Sequence, residues 1–384
     1  MNPITPTALI YSPEFQRYNL GPDHPFKSVR GELTLSLLQE LGAIREEDIH
    51  LPLEITDAEL MLTHARDYVN VVRQASLGEP VERAREFGLD TSDTPTFPGM
   101  HEATLSIVGG TVKAAELVMS GQYKRAFNVG GGLHHAQHRM AAGFCVYNDL
   151  SVAAKRLSMA GYRVAYLDID AHHGDGVQML HYHDKHVLTI SLHENGRYLW
   201  PGTGSTYELG QGDGSGYSLN VPLEPYTQDH SFLEVMDGLI PEAFEWFKPD
   251  VLLLQAGCDP HQQDPLADLC LTTQGLSHVY ERIIRYADEH CSGRIVATGG
   301  GGYATYNVAP RAWALLYLAL SGQPTPEMLP ESWRAKWTAP DPQEDPLPSH
   351  WWDDAVEIPR KAEIESRNRR TVERLLRDWR EVRK

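Results

Sequence analysis

Short apolar runs punctuate the chain at residues 8–11, 125–129, 163–167, 187–192, 217–221, 251–255 and 294–298. Each is rich in β-branched, aromatic or aliphatic residues and lacks a consistently polar alternate position, the pattern of strands buried on both faces. Between most of them lie segments of helical length with a period near 3.6, at 107–119, 149–160, 232–246 and 276–289. Strands alternating with helices predict a single α/β domain: a mainly parallel, multi-stranded sheet flanked by helices on both sides. No internal repeat interrupts this order. The first hundred residues are less regular, and the stretch FGLDTSDTPTFPG predicts a turn-rich surface loop.

Beyond residue 322 the pattern changes, which divides the chain into a main domain at 1–322 and a C-terminal extension at 323–384. Proline and acidic residues dominate first, predicting an extended arm. From Arg360 the charge turns basic, and Val372, Leu375, Leu376 and Trp379 fall on one helical face. That stripe predicts a terminal helix packed on the acidic body of its own chain.

Charge narrows the functions open to the protein. A net charge of -18 over 384 residues argues against a nucleic-acid partner. No apolar run approaches the roughly 20 residues of a membrane span, and MNPITPTALIYSPEF lacks the basic and apolar regions of a secretory signal. Cys145, Cys258, Cys270 and Cys291 form no CxxC and read as reduced thiols of a cytoplasmic protein.

Polar clusters follow the strands. GGGLHHA carries His134 and His135; DIDAHHGDG carries Asp168, Asp170, His172, His173 and Asp175; His193 follows 187–192; AGCDP carries Asp259; GGGGY carries Tyr303. Parallel sheets collect ligands at the carboxyl ends of their strands, so these loops are expected to converge on one crevice. Asp170, His172 and Asp259 supply two carboxylates and an imidazole, a protein set for a catalytic divalent metal with a position left for water and substrate. Oxygen and nitrogen donors without sulfur suit Zn²⁺, Fe²⁺ or Mn²⁺. Asp168 and Asp175 with His134 and His135 can form carboxylate–imidazole dyads for proton transfer, and the Tyr303 phenol can donate to a developing oxyanion.

Together these motifs resemble the histone deacetylase family, particularly its bacterial acetoin-utilization branch. The resemblance runs from GPDHPFKSVR to GGGGYATYNVAPRAWALLYLALSG and includes HARDYV, FPGMHEA, GGGLHHAQHRMAAGFCVYND, ISLHE, PGTGS and AGCDPHQQDPLADL, in order. It implies an arginase/deacetylase-like fold and hydrolysis of acetyl-lysine, with Asp170, His172 and Asp259 as zinc ligands. His135 with Asp175 looks like the general base, His134 with Asp168 its electrostatic partner, and Tyr303 the group polarising the scissile carbonyl. Phe144, Trp200 and Leu266 would line the acetyl-lysine tunnel, Gly143 would accept a hydrogen bond from the substrate amide, Asp93 would grip the substrate backbone, and Arg30 would sit near an internal acetate exit. Structural K⁺ would use Asp168, Asp170, His172, Ser191 and Leu192, and a second ion His181, Asp184, Val187 and Tyr217. The family resemblance further implies an acetylated protein or peptide partner, such as a metabolic enzyme like acetyl-CoA synthetase.

Rival readings differ at particular residues. An acetylpolyamine deacetylase shares the chemistry but favours an acidic gatekeeper where this chain has Leu266. An arginase-type hydrolase would need further metal-ligating acids. A dinucleotide site at GGGGYA lacks the acidic residue expected some 20 positions on, and a non-catalytic scaffold would need a defect in the reactive set that the sequence does not show.

Overall fold

The computed structural model describes residues 5–337 and 347–384. Eight strands form one sheet: β1 Thr7–Ile10, β2 Ile49–His50, β3 Arg125–Asn128, β4 Val164–Asp168, β5 Val187–Glu194, β6 Ser218–Leu223, β7 Val251–Gln255 and β8 Ile295–Thr298. All neighbours are parallel, in the order β2-β1-β3-β8-β7-β4-β5-β6. The helices are α1 Val29–Glu40, α2 Asp57–Leu60, α3 Arg66–Ala75, α4 Met100–Met119, α5 Asp149–Met159, α6 Asp175–His181, α7 Asp229–Phe247, α8 Thr273–His290, α9 Ala309–Ser321, α10 Glu331–Lys336 and α11 Lys361–Val382. The architecture is thus the single α/β domain that the strand–helix alternation predicts.

Period-two alternation splits each strand between two cores. Leu252 and Leu254 of β7 enter one with α1, α7, α8 and α9; Val251 and Leu253 enter the other with α3, α4 and α5. Helix starts follow local chemistry. The Thr272 hydroxyl accepts the Gly275 N–H at 3.0 Å ahead of α8, and Asn148 Oδ1 accepts the Ser151 N–H at 2.9 Å ahead of α5. The periodicity expected α4 to begin at 107, whereas it begins at Met100, directly after the left-handed Gly99.

Seven elements escaped the pattern, the short α2, α3, α6 and α10 among them, and three show why. β2 is only two residues long and exists by pairing with β1. α9 is buried on almost every face, so it has no polar stripe to mark its period. α1 buries Arg30, Thr34 and Ser36 beside its leucines, which blurs the same signal.

α11 lays Val372, Leu375 and Trp379 against the body, with Trp379 Nε1 donating to the Gly216 carbonyl at 2.8 Å. Its outer charges reach acids of the domain: Arg369 pairs with Glu234 at 2.9 Å, and Arg383 with Glu242 at 2.8 Å. Ahead of it, the Asp353 carboxylate is tied to Arg311 at 2.9 Å and His261 at 2.8 Å, which holds this part of the chain against α8 and α9. No described helix is long and apolar enough to cross a membrane.

Candidate active site

Sheet register sets out the site. Asp168, Gln255, Thr298 and Asn128 lie in one cross-strand row at the carboxyl ends of β4, β7, β8 and β3, level with Ser191 inside the longer β5. Because β8 and β7 sit between β3 and β4, the loops bearing Tyr303 and Asp259 emerge between the loop bearing His134 and His135 and the loop bearing Asp170 and His172. Residues far apart in sequence therefore meet in one crevice.

Asp170, His172 and Asp259 are buried, and their ligand atoms lie within 4.8 Å of one another. His172 Nδ1 is 3.2 Å from Asp170 Oδ1 and 2.9 Å from Asp259 Oδ2. The backbone leaves this space deliberately small: a Cβ on Gly257 would stand 2.1 Å from Asp170 Oδ2, and one on Gly301 2.1 Å from Asp259 Oδ2. Burial and the neighbouring Asp170 charge push the Asp259 carboxyl well up. A divalent cation relieves that repulsion, and two oxygens with one nitrogen are donors it accepts. The residues fit such an ion.

Two imidazole–carboxylate pairs flank the cluster. His134 Nδ1 is 2.8 Å from Asp168 Oδ2, and His135 Nδ1 is 2.7 Å from Asp175 Oδ1, with the two rings 3.9 Å apart. Burial works against a charged His134, but Asp168 and Asp170 hold it up at about 9. Burial, then the neighbouring His134 and His172, pull His135 well below its ordinary value. Burial also raises the Asp175 carboxyl to about 6. Paired Nδ1 atoms leave both Nε2 atoms facing the crevice side of the rings; His134 Nε2 is 3.8 Å from Asp170 Oδ2.

Aromatic rings close around this centre. Trp200 lies 4.6 Å from the His135 ring and 6.5 Å from His172, while Tyr303 lies 6.4 Å from His172 and 5.6 Å from Phe144. Burial, followed by the charges of Asp259 and Asp170, raises the Tyr303 phenol well above 10, so it stays a donor. Gly143 and Phe144 are both left-handed, with φ of +53° and +66°. A Cβ at 143 would meet His135 Cδ2 at 2.3 Å, so the approach of this turn to the His135 ring requires glycine. Asp93 reaches the same turn, its Oδ2 accepting the Gly143 N–H at 2.9 Å.

The remaining expected residues occupy distinct places. Arg30 donates to the carbonyls of Gly300 at 3.0 Å and Gly302 at 2.7 Å, beside a small cavity of about 40 Å³ under the site that Trp313 and Tyr303 also line. Leu266 is half-buried, its N–H held by Asp264 Oδ1 at 2.9 Å. Ser191 and Leu192 sit beside Asp168 on β5, whereas His181, Asp184, Val187 and Tyr217 gather at the opposite ends of β5 and β6, away from the crevice.

Several supporting residues carried no sequence signal of their own. Asp264 bonds the N–H groups of both Leu266 and Tyr303, the latter at 2.7 Å. Gln255 Nε2 donates to Asp170 Oδ2 at 2.7 Å, Gln137 Nε2 to Asp175 Oδ2 at 2.8 Å, and the Tyr166 hydroxyl to Asp168 Oδ2 at 2.5 Å. Such partners orient ligands and bases. The motif CDPHQQD does contain Asp264, which was the one available hint.

Fold and site together define an arginase/deacetylase-like α/β protein built around a two-carboxylate, one-imidazole cation site. A histone deacetylase domain matches residues 24–320, and the chain belongs to the histone deacetylase family. It is 44% identical over 379 residues to the acetoin utilization protein AcuC of Bacillus subtilis (strain 168), covering 96% of each chain. It is 40% identical to AcuC of Staphylococcus xylosus, covering 96% of this chain and 97% of that one. Among solved structures, an HDAC homolog from Aquifex aeolicus superposes with a TM-score of 0.85 at 31% identity, over 96% of this chain and 99% of that chain. An HDAC homolog complexed with SAHA gives the same TM-score at 30% identity and the same coverage.

Proposed function

We propose that the chain hydrolyses the acetamide of acetyl-lysine side chains in proteins or peptides. The observation that carries the reading is the ring of two His–Asp dyads and Tyr303 around Asp170, His172 and Asp259, beneath walls of Phe144 and Trp200. Those aromatic walls suit the apolar stem of a neutralised lysine.

Asp170, His172 and Asp259 would hold the divalent ion, zinc in our reading and iron as its alternative. When bound, the ion supplies Lewis acidity toward the acetyl carbonyl and the attacking water. The rest falls to the chain's own residues. His135, its Nδ1 held by Asp175, accepts the water proton at Nε2. Water oxygen then forms the new bond to the carbonyl carbon, and the Tyr303 hydroxyl donates to the oxygen that gains charge. His135 returns its proton to the lysine nitrogen as the C–N bond breaks, leaving acetic acid and the lysine amine, which exchange the acid proton to give acetate and ammonium. His134 with Asp168 stabilises the charge distribution beside it. Gly143 orients the substrate amide, Asp93 holds the substrate backbone, Leu266 lies at the tunnel mouth, and Arg30 borders the path for acetate.

Structural potassium belongs to the same proposal, in one site at Asp168, Asp170, His172, Ser191 and Leu192 and another at His181, Asp184, Val187 and Tyr217. Four buried free cysteines support a reducing, cytoplasmic setting. We assign the chemistry to the deacetylase domain at residues 1–322, on which α10 and α11 of the C-terminal extension pack through Trp333 and Trp379.

The test is turnover by the metal-quantified protein on an acetyl-lysine peptide and on N-acetylputrescine, with and without SAHA. SAHA-sensitive turnover of the peptide supports the reading. Preference for the polyamine would transfer the activity to that substrate, and no turnover of either with metal bound would sink it.

A further inference from the structure

Next to Trp200 the surface gathers arginines. Two residues on, the loop from Gly202 to Tyr207 forms one bank of an open cleft of about 500 Å³, and α11 forms the other. The chain as a whole is strongly acidic, with a net charge of -18. Yet Arg197 from the loop and Arg367, Arg370 and Arg374 from α11 all face this cleft. Their spacing of three and four residues puts the three helix arginines on one face.

Most arginines of α11 are already committed. Arg367 pairs with Glu224 at 3.0 Å, and Arg369, Arg380 and Arg383 pair with other glutamates of the body. The second carboxylate of the cleft, Asp378, is held by Arg377 at 3.0 Å. Among the described residues Arg370 bonds only the Ser366 hydroxyl, at 3.2 Å. Among the described residues no carboxylate comes within ion-pair distance of Arg197, Arg370 or Arg374. Three exposed guanidinium groups thus converge on one space with no carboxylate partner among the described residues.

The cleft runs on, past Glu224 and Arg367, into a neighbouring apolar one of about 520 Å³ lined by Tyr198, Tyr226, Ile358 and Ile364. Tyr198, Tyr207 and Tyr226 are exposed by 60%, 78% and 50%. Exposed tyrosines among arginines are the composition of docking surfaces.

We propose that this trough binds an acidic segment of the acetylated polypeptide, a few residues from the lysine in the tunnel; the inference rests on the lysine deacetylase reading above. The cleft starts two residues from Trp200, at most about 7 Å of extended chain. A polypeptide whose lysine fills the tunnel therefore has this trough within reach of its flanks. Its length and its apolar half suit a peptide, since a small polyanion would use only the basic half.

Fluorescence anisotropy on the full-length, metal-loaded protein tests this with a labelled acetyl-lysine peptide flanked by glutamates and its lysine-flanked counterpart. The acidic peptide should bind about fivefold more tightly, the scale of a few exposed charge pairs, and lose that advantage near 1 M salt. Arg370→Glu with Arg374→Glu should abolish or reverse the preference, while Arg370→Lys with Arg374→Lys keeps it. Equal binding of both peptides by the wild type, or a preference that the glutamate variant retains, overturns the proposal. So does arginine-dependent binding of tripolyphosphate without a peptide preference, or a concentration-dependent mass that the glutamate variant abolishes, which would give the trough to a second copy. Turnover of N-acetyl-lysine amide by the wild type separates the two readings: its absence counts against the deacetylase chemistry, whereas its presence without a flank preference counts against the trough alone.

Discussion

Replacing Gly143 by alanine challenges the construction of the proposed tunnel with one methyl group. Its Cβ would stand 2.3 Å from His135 Cδ2 and 2.7 Å from Trp200 Cη2, where ordinary contact begins at 3.4 Å, so the imidazole must retreat by about 1.1 Å. His135 has little room to do so: Asp175 holds its Nδ1 at 2.7 Å, and the His134 and Trp200 rings lie 3.9 and 4.6 Å away. A left-handed φ of +53° adds about 1–2 kcal/mol of strain once a Cβ is present. Misplacing a catalytic group by about 1 Å costs on the order of 100-fold, so kcat/KM should fall about 100-fold, or about 2.7 kcal/mol of transition-state stabilisation. Metal content should hold, because the nearest atoms to the new methyl belong to His135 and Trp200 and not to Asp170, His172 or Asp259. Steady-state kinetics on an acetyl-lysine peptide, with bound metal measured on the same sample, reads both quantities. A variant within threefold of wild type, metal intact, would refute the reasoning.

Tyr303→Phe removes one donor and leaves the proposed ligands Asp170, His172 and Asp259 in place; kcat should drop about 100- to 1000-fold, and near-wild-type turnover with metal bound would discard the donor role. Glu208 accepts the Ser205 N–H at 2.9 Å and Gln178 Nε2 at 2.7 Å, and so anchors the loop behind Trp200. Glu208→Ala should cost about 1–3 kcal/mol of stability and speed amide exchange at Gly204 and Ser205, whereas unchanged exchange there would mean the loop is held otherwise. His64 is buried, accepting the Asn148 N–H at Nε2 (2.9 Å) and donating from Nδ1 to the Gln137 carbonyl (3.0 Å). Burial lowers its pKa to about 3. Because the folded value lies below the unfolded one, its contribution is full above about pH 6.5 and is lost as pH falls toward 3, at up to about 1.4 kcal/mol per pH unit. Nitrogen NMR shifts should show a neutral Nδ1–H ring at pH 5; an imidazolium at that pH would contradict this.

Much of the chain's organisation is legible without coordinates because burial leaves a local mark. A strand covered on both sides must be apolar throughout, which exposed seven of the eight strands, and α7 and α8 betray themselves by keeping a polar face. α9 keeps none, and β2 is too short to have a period, so neither could be read. The chemistry-bearing residues show in the same way: glycine, histidine and aspartate crowd directly after strands, where a buried element surfaces and a core residue would otherwise stand.

What the pattern does not contain is which loops meet. β7 and β8 insert between β3 and β4, and only that order carries Asp259 and Tyr303 between the histidine loop and Asp170. Strand order depends on non-local pairing and on how two layers of helices pack, and neither leaves a trace in any short window of residues. The same holds for Gln255, Gln137 and Asp264, ordinary polar residues whose significance lies in bonds of 2.7 to 2.8 Å to partners distant in the chain. It holds also for the unpaired arginines of α11, which become a surface with a direction only once the helix docks beside the Trp200 loop. Local burial and residue chemistry were thus determined by the sequence itself. Juxtaposition was decided by the tertiary structure, because distances between remote segments are a property of the packed whole.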